Sequence, residues 1–289
     1  MDEGIFLIKT VIGMALLLSF AVVVSVFLSN ALLEKETAMQ QMGKLPVVAV
    51  MELVGMQSLQ VFPPQVEIFF LMLMVLNMVV MGAVIGHAVH GVRRSFETGV
   101  FAFFYMQVMD KGLYYVYTVL RLLLVSIMAW LMYMVEVMIS LSFVVKGLDV
   151  EVIATVEAIQ GEMLLRGIGV LIFMLGIGVL YGIQQYHGMH GVDFGLCVMG
   201  ICLALGNFYK IPQFIGYKQV EAMVNAQVTM RVAYYMKQLR FLCPFSYINP
   251  YNIYHNTLNE SVVGVYMLIG IAIMVVAGII FWKREWREL

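Results

Sequence analysis

The sequence predicts an all-α integral membrane protein with six transmembrane helices, and three observations support this fold class. Of the 289 residues, 62% are hydrophobic and only 12% are charged. The mean hydropathy is +0.92. Apolar runs long enough to cross a bilayer, which takes about 20 helical residues, alternate with shorter polar stretches. The net charge of -1 creates no overall field that would attract nucleic acid, so we expect no nucleic-acid partner.

The first two spans are predicted at residues 5–33 and 68–90. The first apolar run is longer than the core of a secretory signal peptide, so we expect it to be retained as a span. Residues 34–67 are interrupted by charges and by the pair Pro63-Pro64, which predicts an extramembrane, partly helical loop.

The third and fourth spans are predicted at residues 113–145 and 163–184. Residues 146–162 between them contain several acidic side chains, so we expect a connector outside the membrane. The fourth span is rich in glycine, which permits two helices to approach closely. These glycines are Gly167, Gly169, Gly176, Gly178 and Gly182.

The fifth span, residues 194–209, is short, and the sixth is predicted at residues 262–282. Residues 216–244 between them are amphipathic and basic, which predicts a helix lying in the membrane interface or a re-entrant pair. Two prolines, Pro244 and Pro250, then break the helix before the last span.

Placing both chain ends in the cytoplasm agrees with the excess of basic residues expected on that side. Eight basic residues then lie inside and four outside: Lys9, Arg93, Arg94, Lys111, Arg121, Lys283, Arg284 and Arg287 against Lys35, Lys44, Lys146 and Arg166. The basic residues of segment 210–240 fall outside and oppose the rule, which long segments follow less strictly. We expect a multi-pass protein of the cytoplasmic membrane of a bacterial cell, in contact with membrane lipids.

The stretch from Gly86 to Thr118 is the longest polar interruption between two apolar runs. It predicts a short helix over residues 95–108 that lies at the membrane face. Ser95 is suited to cap its start, and Glu97 interacts favourably with the helix dipole in the first turn. An aromatic cluster in this helix needs an apolar partner surface or the bilayer interface, and it consists of Phe101, Phe103, Phe104 and Tyr105.

Short motifs carry a resemblance to a known family. Glu97-Thr98-Gly99-Val100-Phe101 follows the second span, and Asp110-Lys111 precedes the third. Pro244-Phe245-Ser246-Tyr247-Ile248-Asn249-Pro250 precedes the last span, and Lys283-Arg284-Glu285 follows it. In this order and spacing the chain resembles the permease subunits of type-2, exporter-type ABC transporters. It departs from their pattern at one turn, where Val108 or Met109 stands in place of the usual proline.

The resemblance implies one transmembrane permease domain over residues 1–289 that pairs with a second permease copy. It also implies that residues 95–108 are a coupling helix seated in a groove of a separate ABC ATPase dimer, which binds ATP and Mg. The chain has no Walker-type glycine loop, so we expect no enzyme activity and no cofactor of its own. The residues assigned to ATPase coupling are Ser95, Glu97, Gly99, Phe101, Phe104, Asp110 and Lys111.

Ionisable residues inside spans are candidates for the transport path, because a charge in the bilayer is costly. Glu136 and Arg121 lie in the third span, and Arg121 is close enough to the cytoplasmic end for its head to reach the headgroups. The structural alternative for Glu136 is an ion pair with Arg166. Arg231 and Lys237, in the basic segment before the last span, are the candidate gate residues.

Four of the five histidines form two copies of the pattern HxxHGV, at His87/His90 and His187/His190. Residues three apart share one face of a helix, so each pair has the spacing to give two imidazoles to zinc, copper or haem. A membrane-embedded metal or haem protein is therefore one alternative function. The histidines fit equally a role that only closes helix ends at the negative pole of the helix dipole. A structural membrane scaffold is a further alternative function. The cysteines Cys197, Cys202 and Cys243 form no CxxC pair, and we expect no disulfide.

Overall fold

The computed structural model describes residues 3–33, 62–97, 110–184, 191–207, 242–256 and 258–283, and these ranges contain helices and no strand. The prediction of an all-α chain is confirmed for them. In chain order, the long helices are α1 (Glu3–Leu33), α2 (Pro64–Glu97), α3 (Lys111–Val144), α4 (Val150–Gln184) and α5 (Gly191–Asn207). A 3₁₀ helix (Pro244–Ile248) and the short helix α6 (Pro250–Tyr254) precede α7 (Ser261–Lys283).

Four of these helices have the length and apolar composition to cross a membrane, as expected of a membrane protein. They are Pro64–Arg93 of α2, Gly112–Val144 of α3, Val150–Gln184 of α4 and Ser261–Lys283 of α7. Within their described residues, α1 and α5 contain shorter apolar stretches, Ile12–Phe27 and Asp193–Cys202. The second, third, fourth and sixth predicted spans thus have a matching candidate helix, and the first and fifth stay a prediction.

The glycines of α4 let neighbouring helices approach within contact distance of its backbone. A Cβ atom added to Gly176 would lie 2.7 Å from the carbonyl oxygen of Gly270 in α7. One added to Gly178 would lie 2.9 Å from the carbonyl oxygen of Ile85 in α2. Neither gap has room for a side chain. The close packing predicted for this glycine-rich helix is therefore confirmed.

Contacts between residues far apart in the chain show that α2, α4 and α7 run in the same direction. Positions that advance along α4 meet positions that advance along both of the other helices. The contacts are Gly169–Val263 and Gly176–Gly270 between α4 and α7, and Gly178–Ala88 and Gly182–Val92 between α4 and α2.

Helices α3 and α5 run in the opposite direction. Asn77–Tyr133 and Gly91–Leu122 pair α2 with α3 in antiparallel order, and Gly82–Gly195 and Gly86–Gly191 do the same for α5. The bundle therefore has two ends. We call the half that contains the starts of α2 and α4 the Pro64 end, and the half that contains the ends of α2, α4 and α7 the Glu97 end. α7 begins near the middle of the bundle, because Val263 meets Gly169.

The fourth helix begins earlier than predicted. Residues 150–162, expected to belong to an acidic connector over 146–162, form the first turns of α4. The buried side chains of Val156, Ile159 and Met163 recur at helical spacing, whereas the acidic side chains of this stretch are exposed or half-exposed. Such a one-sided pattern is that of an amphipathic helix, so the chain is already helical before the predicted start of the span at residue 163.

The second helix ends later than predicted. α2 continues to Glu97, so Ser95 lies inside it and does not cap a new helix as expected. Val89 and Val92 remain buried in this stretch, so the apolar stripe of α2 continues among its histidines and arginines. Residues 98–109, the remainder of the predicted coupling helix, lie outside the described residues.

Candidate functional site

The described residues directly before α7 lie largely in the interior of the bundle. Every residue from Cys243 to Ile253, which we call the prolyl segment, is buried. Pro244 and Pro250 each occupy the start of a short helix, a position that needs no backbone N–H donor. The prolines therefore set where each turn begins, and they prevent one continuous helix from forming.

Side chains within the prolyl segment satisfy its own backbone. The Oδ1 atom of Asn249 accepts a hydrogen bond from the backbone N–H of Tyr251 at 2.9 Å and so caps α6. The amide nitrogen of Asn252 donates to the carbonyl oxygen of Ser246 at 2.7 Å. Irregular backbone at this depth needs such internal partners because unpaired polar groups are costly away from water.

Asn77 of α2 joins the prolyl segment to two spans. Its side-chain nitrogen donates to the carbonyl oxygen of Ile248 over 3.4 Å, and its oxygen accepts from the Tyr133 hydroxyl of α3 at 2.8 Å. The same nitrogen lies 3.4 Å from the sulfur of Met163 in α4. Asn77 is almost fully buried, so it connects the segment, α2, α3 and α4 at one level of the bundle.

The first turn of α2 makes a second connection. The Tyr251 hydroxyl donates to the carbonyl oxygen of Glu67 at 3.3 Å, and its ring meets Phe70 edge-on. Burial, and next the nearby Glu67 carboxylate, raises the pKa of the Tyr251 phenol, so it is a neutral donor at physiological pH. An oxygen of the Glu67 side chain accepts the backbone N–H of Phe62 at 3.1 Å, which closes the start of the helix.

Arg166 ties α4 to the start of α7. Its Nε atom lies 3.0 Å from a carboxylate oxygen of Glu162, and its Nη2 atom lies 3.0 Å from one of Glu260, just before α7. The arginine side chain is only 5% exposed, while the two carboxylates are half-exposed. These two carboxylates, and not Glu136, are therefore the ion-pair partners that the structure gives to Arg166.

The two candidate path residues of α3 lie far apart. Glu136 is half-buried, and one of its carboxylate oxygens is buried without a hydrogen-bond partner among the described residues. Arg121 is exposed. Their positions differ by fifteen residues, which corresponds to about 22 Å of helix, so the two side chains do not form one site. Arg231 and Lys237 lie outside the described residues.

The predicted ATPase-coupling residues are described only in part, and those that are described lie at the Glu97 end. Ser95 and Glu97 belong to the last turn of α2. Asp110 caps α3 by accepting the Gly112 N–H at 3.3 Å, and Lys111 is the first residue of that helix. Gly99, Phe101 and Phe104, which lie between these two groups, fall outside the described residues.

The first histidine pair lies on α2 near the Glu97 end, with His87 half-buried and His90 exposed. His187 and His190 lie outside the described residues. No group of three histidine, cysteine or acidic side chains has metal-binding geometry in the part of the chain that the structure describes. None of the three cysteines forms a disulfide with another described residue.

The two ends of the bundle differ in charge. Among the described residues from α2 to α7, the Glu97 end has five basic residues and the Pro64 end two, namely Arg93, Arg94, Lys111, Arg121 and Lys283 against Lys146 and Arg166. The acidic residues of the Pro64 end are Glu67, Asp149, Glu151, Glu157, Glu162 and Glu260. The Glu97 end is therefore the one with the larger number of basic residues.

Sequence reasoning did not identify Asn77, Tyr133, Glu67 or the partners of Arg166. A signal existed for Asn77, because an asparagine inside the apolar run 68–90 has to find a partner there. Comparisons with known protein families, with curated proteins and with solved structures found no match. The function of the chain is therefore inferred from its own geometry and from its sequence motifs.

Proposed function

We propose that this chain is the permease subunit of an ABC exporter, which forms a substrate path as a dimer and is driven by a separate ATPase. One observation carries the proposal. The prolyl segment enters the interior of the bundle directly before the last candidate span, and it contains the motif from Pro244 to Pro250 on which the resemblance depends. An interfacial helix or a re-entrant pair was predicted for residues 216–244, of which only residues 242–244 are among those described.

The charge distribution supports an orientation for the subunit. Basic residues are enriched on the cytoplasmic side of membrane proteins, and the Glu97 end has more of them. In this orientation the break between α2 and α3, which contains the proposed coupling residues, faces the cytoplasm. The prolyl segment and the acidic starts of α2 and α4 then face outward. The six-span topology belongs to this proposal.

The connections of α2 suggest how an ATPase would act on the path. This helix is 34 residues long, about 50 Å, and contains no proline after its first position, so it transmits motion as a rod. A movement of its Glu97 end would shift Asn77, which is hydrogen-bonded to the prolyl segment. The binding and hydrolysis of ATP with Mg would take place on the partner, because this sequence has no phosphate-binding glycine loop.

Affinity purification of the full chain in a mild detergent, followed by mass spectrometry and an ATP hydrolysis assay, tests the proposal. We expect an ABC ATPase to co-purify with the chain. Phe104→Asp should remove that subunit and its hydrolysis, because an aromatic hot spot contributes roughly 2 kcal/mol or more, about thirtyfold in affinity.

The matched control is Val150→Asp at the opposite end of the bundle. Val150 is an apolar residue that is 81% exposed at the start of α4, where an aspartate suits the helix dipole. The ATPase should still co-purify with this variant. A chain that purifies alone, or a complex that Phe104→Asp leaves unchanged, would contradict the proposal. The metal or haem alternative predicts a stoichiometric metal or visible absorbance in the same preparation.

A further inference from the structure

Basic groups from two neighbouring helices meet near the Glu97 end. Gly91 of α2 packs against Leu122 of α3, since a Cβ on this glycine would lie 2.6 Å from the leucine Cδ2 atom. The residues that directly precede these two, His90 and Arg121, therefore lie at one level, and both are exposed. His87, one turn earlier on α2, is half-buried.

Arg121 belongs to a surface that is otherwise apolar. It lies ten residues after the start of α3, about 15 Å along the helix axis. Tyr117 and Leu124, one turn before and after it, are 58% and 64% exposed, and Leu120 is 57% exposed. In a membrane span such a surface faces acyl chains. An arginine there is tolerated when its long side chain brings the guanidinium to the headgroup level.

We propose that His87, His90 and Arg121 form a binding site for the phosphate group of an anionic phospholipid. A guanidinium offers two parallel N–H donors that match phosphate oxygens, and each imidazole adds a further N–H. The exposed apolar side chains beside Arg121 provide the surface along which the acyl chains lie. Basic pockets between spans at the cytoplasmic face are suited to anionic headgroups for this reason.

The same geometry argues against a metal at the first histidine pair. A permanent positive charge on Arg121, at the level of His90 on the neighbouring helix, repels a cation and attracts an anion. The phosphate site does not depend on the proposed transport function. It requires only that α2 and α3 cross a membrane that contains anionic lipid.

A lipid titration of the purified full chain in dodecyl maltoside micelles, after lipid removal, tests the site. Dioleoyl phosphatidylglycerol should raise the unfolding temperature in a saturable manner. Dioleoyl phosphatidylcholine, with the same acyl chains, and inorganic phosphate should not. Arg121→Gln should weaken the apparent affinity for phosphatidylglycerol about fivefold, the effect of one basic group near an anionic surface.

Lys283→Gln is the matched control, because Lys283 is also basic and exposed at the Glu97 end but lies on α7. It should keep the wild-type affinity. If Arg121→Gln does not fold, His90→Gln is tested instead. The loss of one hydrogen bond should then lower the apparent affinity for phosphatidylglycerol about two- to tenfold. Equal affinities in the wild type and the site variant would overturn the proposal. An equal stabilisation by inorganic phosphate would assign the site to the free anion and overturn the lipid assignment.

Discussion

The two ends of the bundle both contain glycine and ring contacts, but they differ in their polar connections. At the Pro64 end, side chains bind irregular backbone and one another: Asn77 contacts the prolyl segment, and Arg166 binds two carboxylates. Toward the Glu97 end, helices touch through glycines and rings. Tyr181 of α4 stacks on Phe194 of α5 with their centroids 3.6 Å apart, and the Arg93 guanidinium lies 5.5 Å from the Tyr181 centroid.

This difference indicates which end is able to change shape. Close backbone packing tolerates no separation without loss of many contacts, so the helices of the Glu97 end move as one body. The ion pairs at the Pro64 end include half-exposed carboxylates, which exchange with water at modest cost. In the proposed exporter, the Glu97 end would therefore receive the movement, and the prolyl segment at the Pro64 end would be the part that opens.

The largest effect is expected from filling a glycine contact toward the Glu97 end. Gly178→Val places a side chain within 2.9 Å of the Ile85 carbonyl oxygen, and backbone cannot move aside locally. We expect a loss of about 3 kcal/mol in the free energy of unfolding, measured in mixed dodecyl maltoside and SDS micelles. Gly161→Val on the same helix is the control, since no atom lies within 4 Å of its Cβ position.

The control should change stability by less than about 0.5 kcal/mol, because valine is a better helix former than glycine. Similar losses in the two variants would mean that α4 does not pack through its glycines, and the comparison of the two ends would fail.

A smaller effect is expected from breaking the ion pairs of the Pro64 end. Arg166→Gln leaves two carboxylates close together without their counter-charge. Because both carboxylates are half-exposed, we expect a loss of about 2 kcal/mol rather than the full cost of a buried pair. Lys146→Gln, an exposed residue at the same end, should be neutral.

Salt separates the two kinds of contact. At 1 M salt the screening length falls to about 3 Å, so the difference in unfolding free energy between the wild type and Arg166→Gln should become smaller. The difference in unfolding free energy between the wild type and Gly178→Val should stay constant over the same range of salt concentration. If the difference for Arg166→Gln also stays constant, the Arg166 side chain stabilises the protein through packing, and the electrostatic explanation is refuted.

The smallest effect is expected from the bond between Tyr133 and Asn77. Tyr133→Phe removes the donor and should cost about 1 kcal/mol in unfolding free energy. Asn77→Leu should cost more, about 2 kcal/mol, because it leaves the buried Tyr133 hydroxyl without this acceptor.

The double variant tests the pairing directly. With both polar groups gone, the combined loss should be smaller than the sum of the single losses by about 0.5 kcal/mol or more. Strict additivity would show that the two side chains do not depend on each other. It would also remove one link between the prolyl segment and the spans.

The sequence predicted those features that depend on local pattern. Long apolar runs predicted the four candidate spans because membrane crossing requires a minimum helix length. The glycines of α4 predicted close packing, and Pro244 and Pro250 predicted the break before α7, since both residue types act through their own backbone. The same local reasoning missed helical residues where polar residues lay on one side of a helix, at the start of α4 and at the end of α2.

By itself, the sequence determined which segments are apolar, where backbone is able to bend, and which ends are basic, because each property belongs to neighbouring residues. Only the tertiary structure decided how the polar residues inside the bundle are paired. Arg166 meets Glu260 from 94 residues away, and Asn77 meets Ile248 from 171 residues away. A buried polar side chain must find a partner, but helix packing selects which one, and a hydropathy pattern contains no information about residues that meet only after folding.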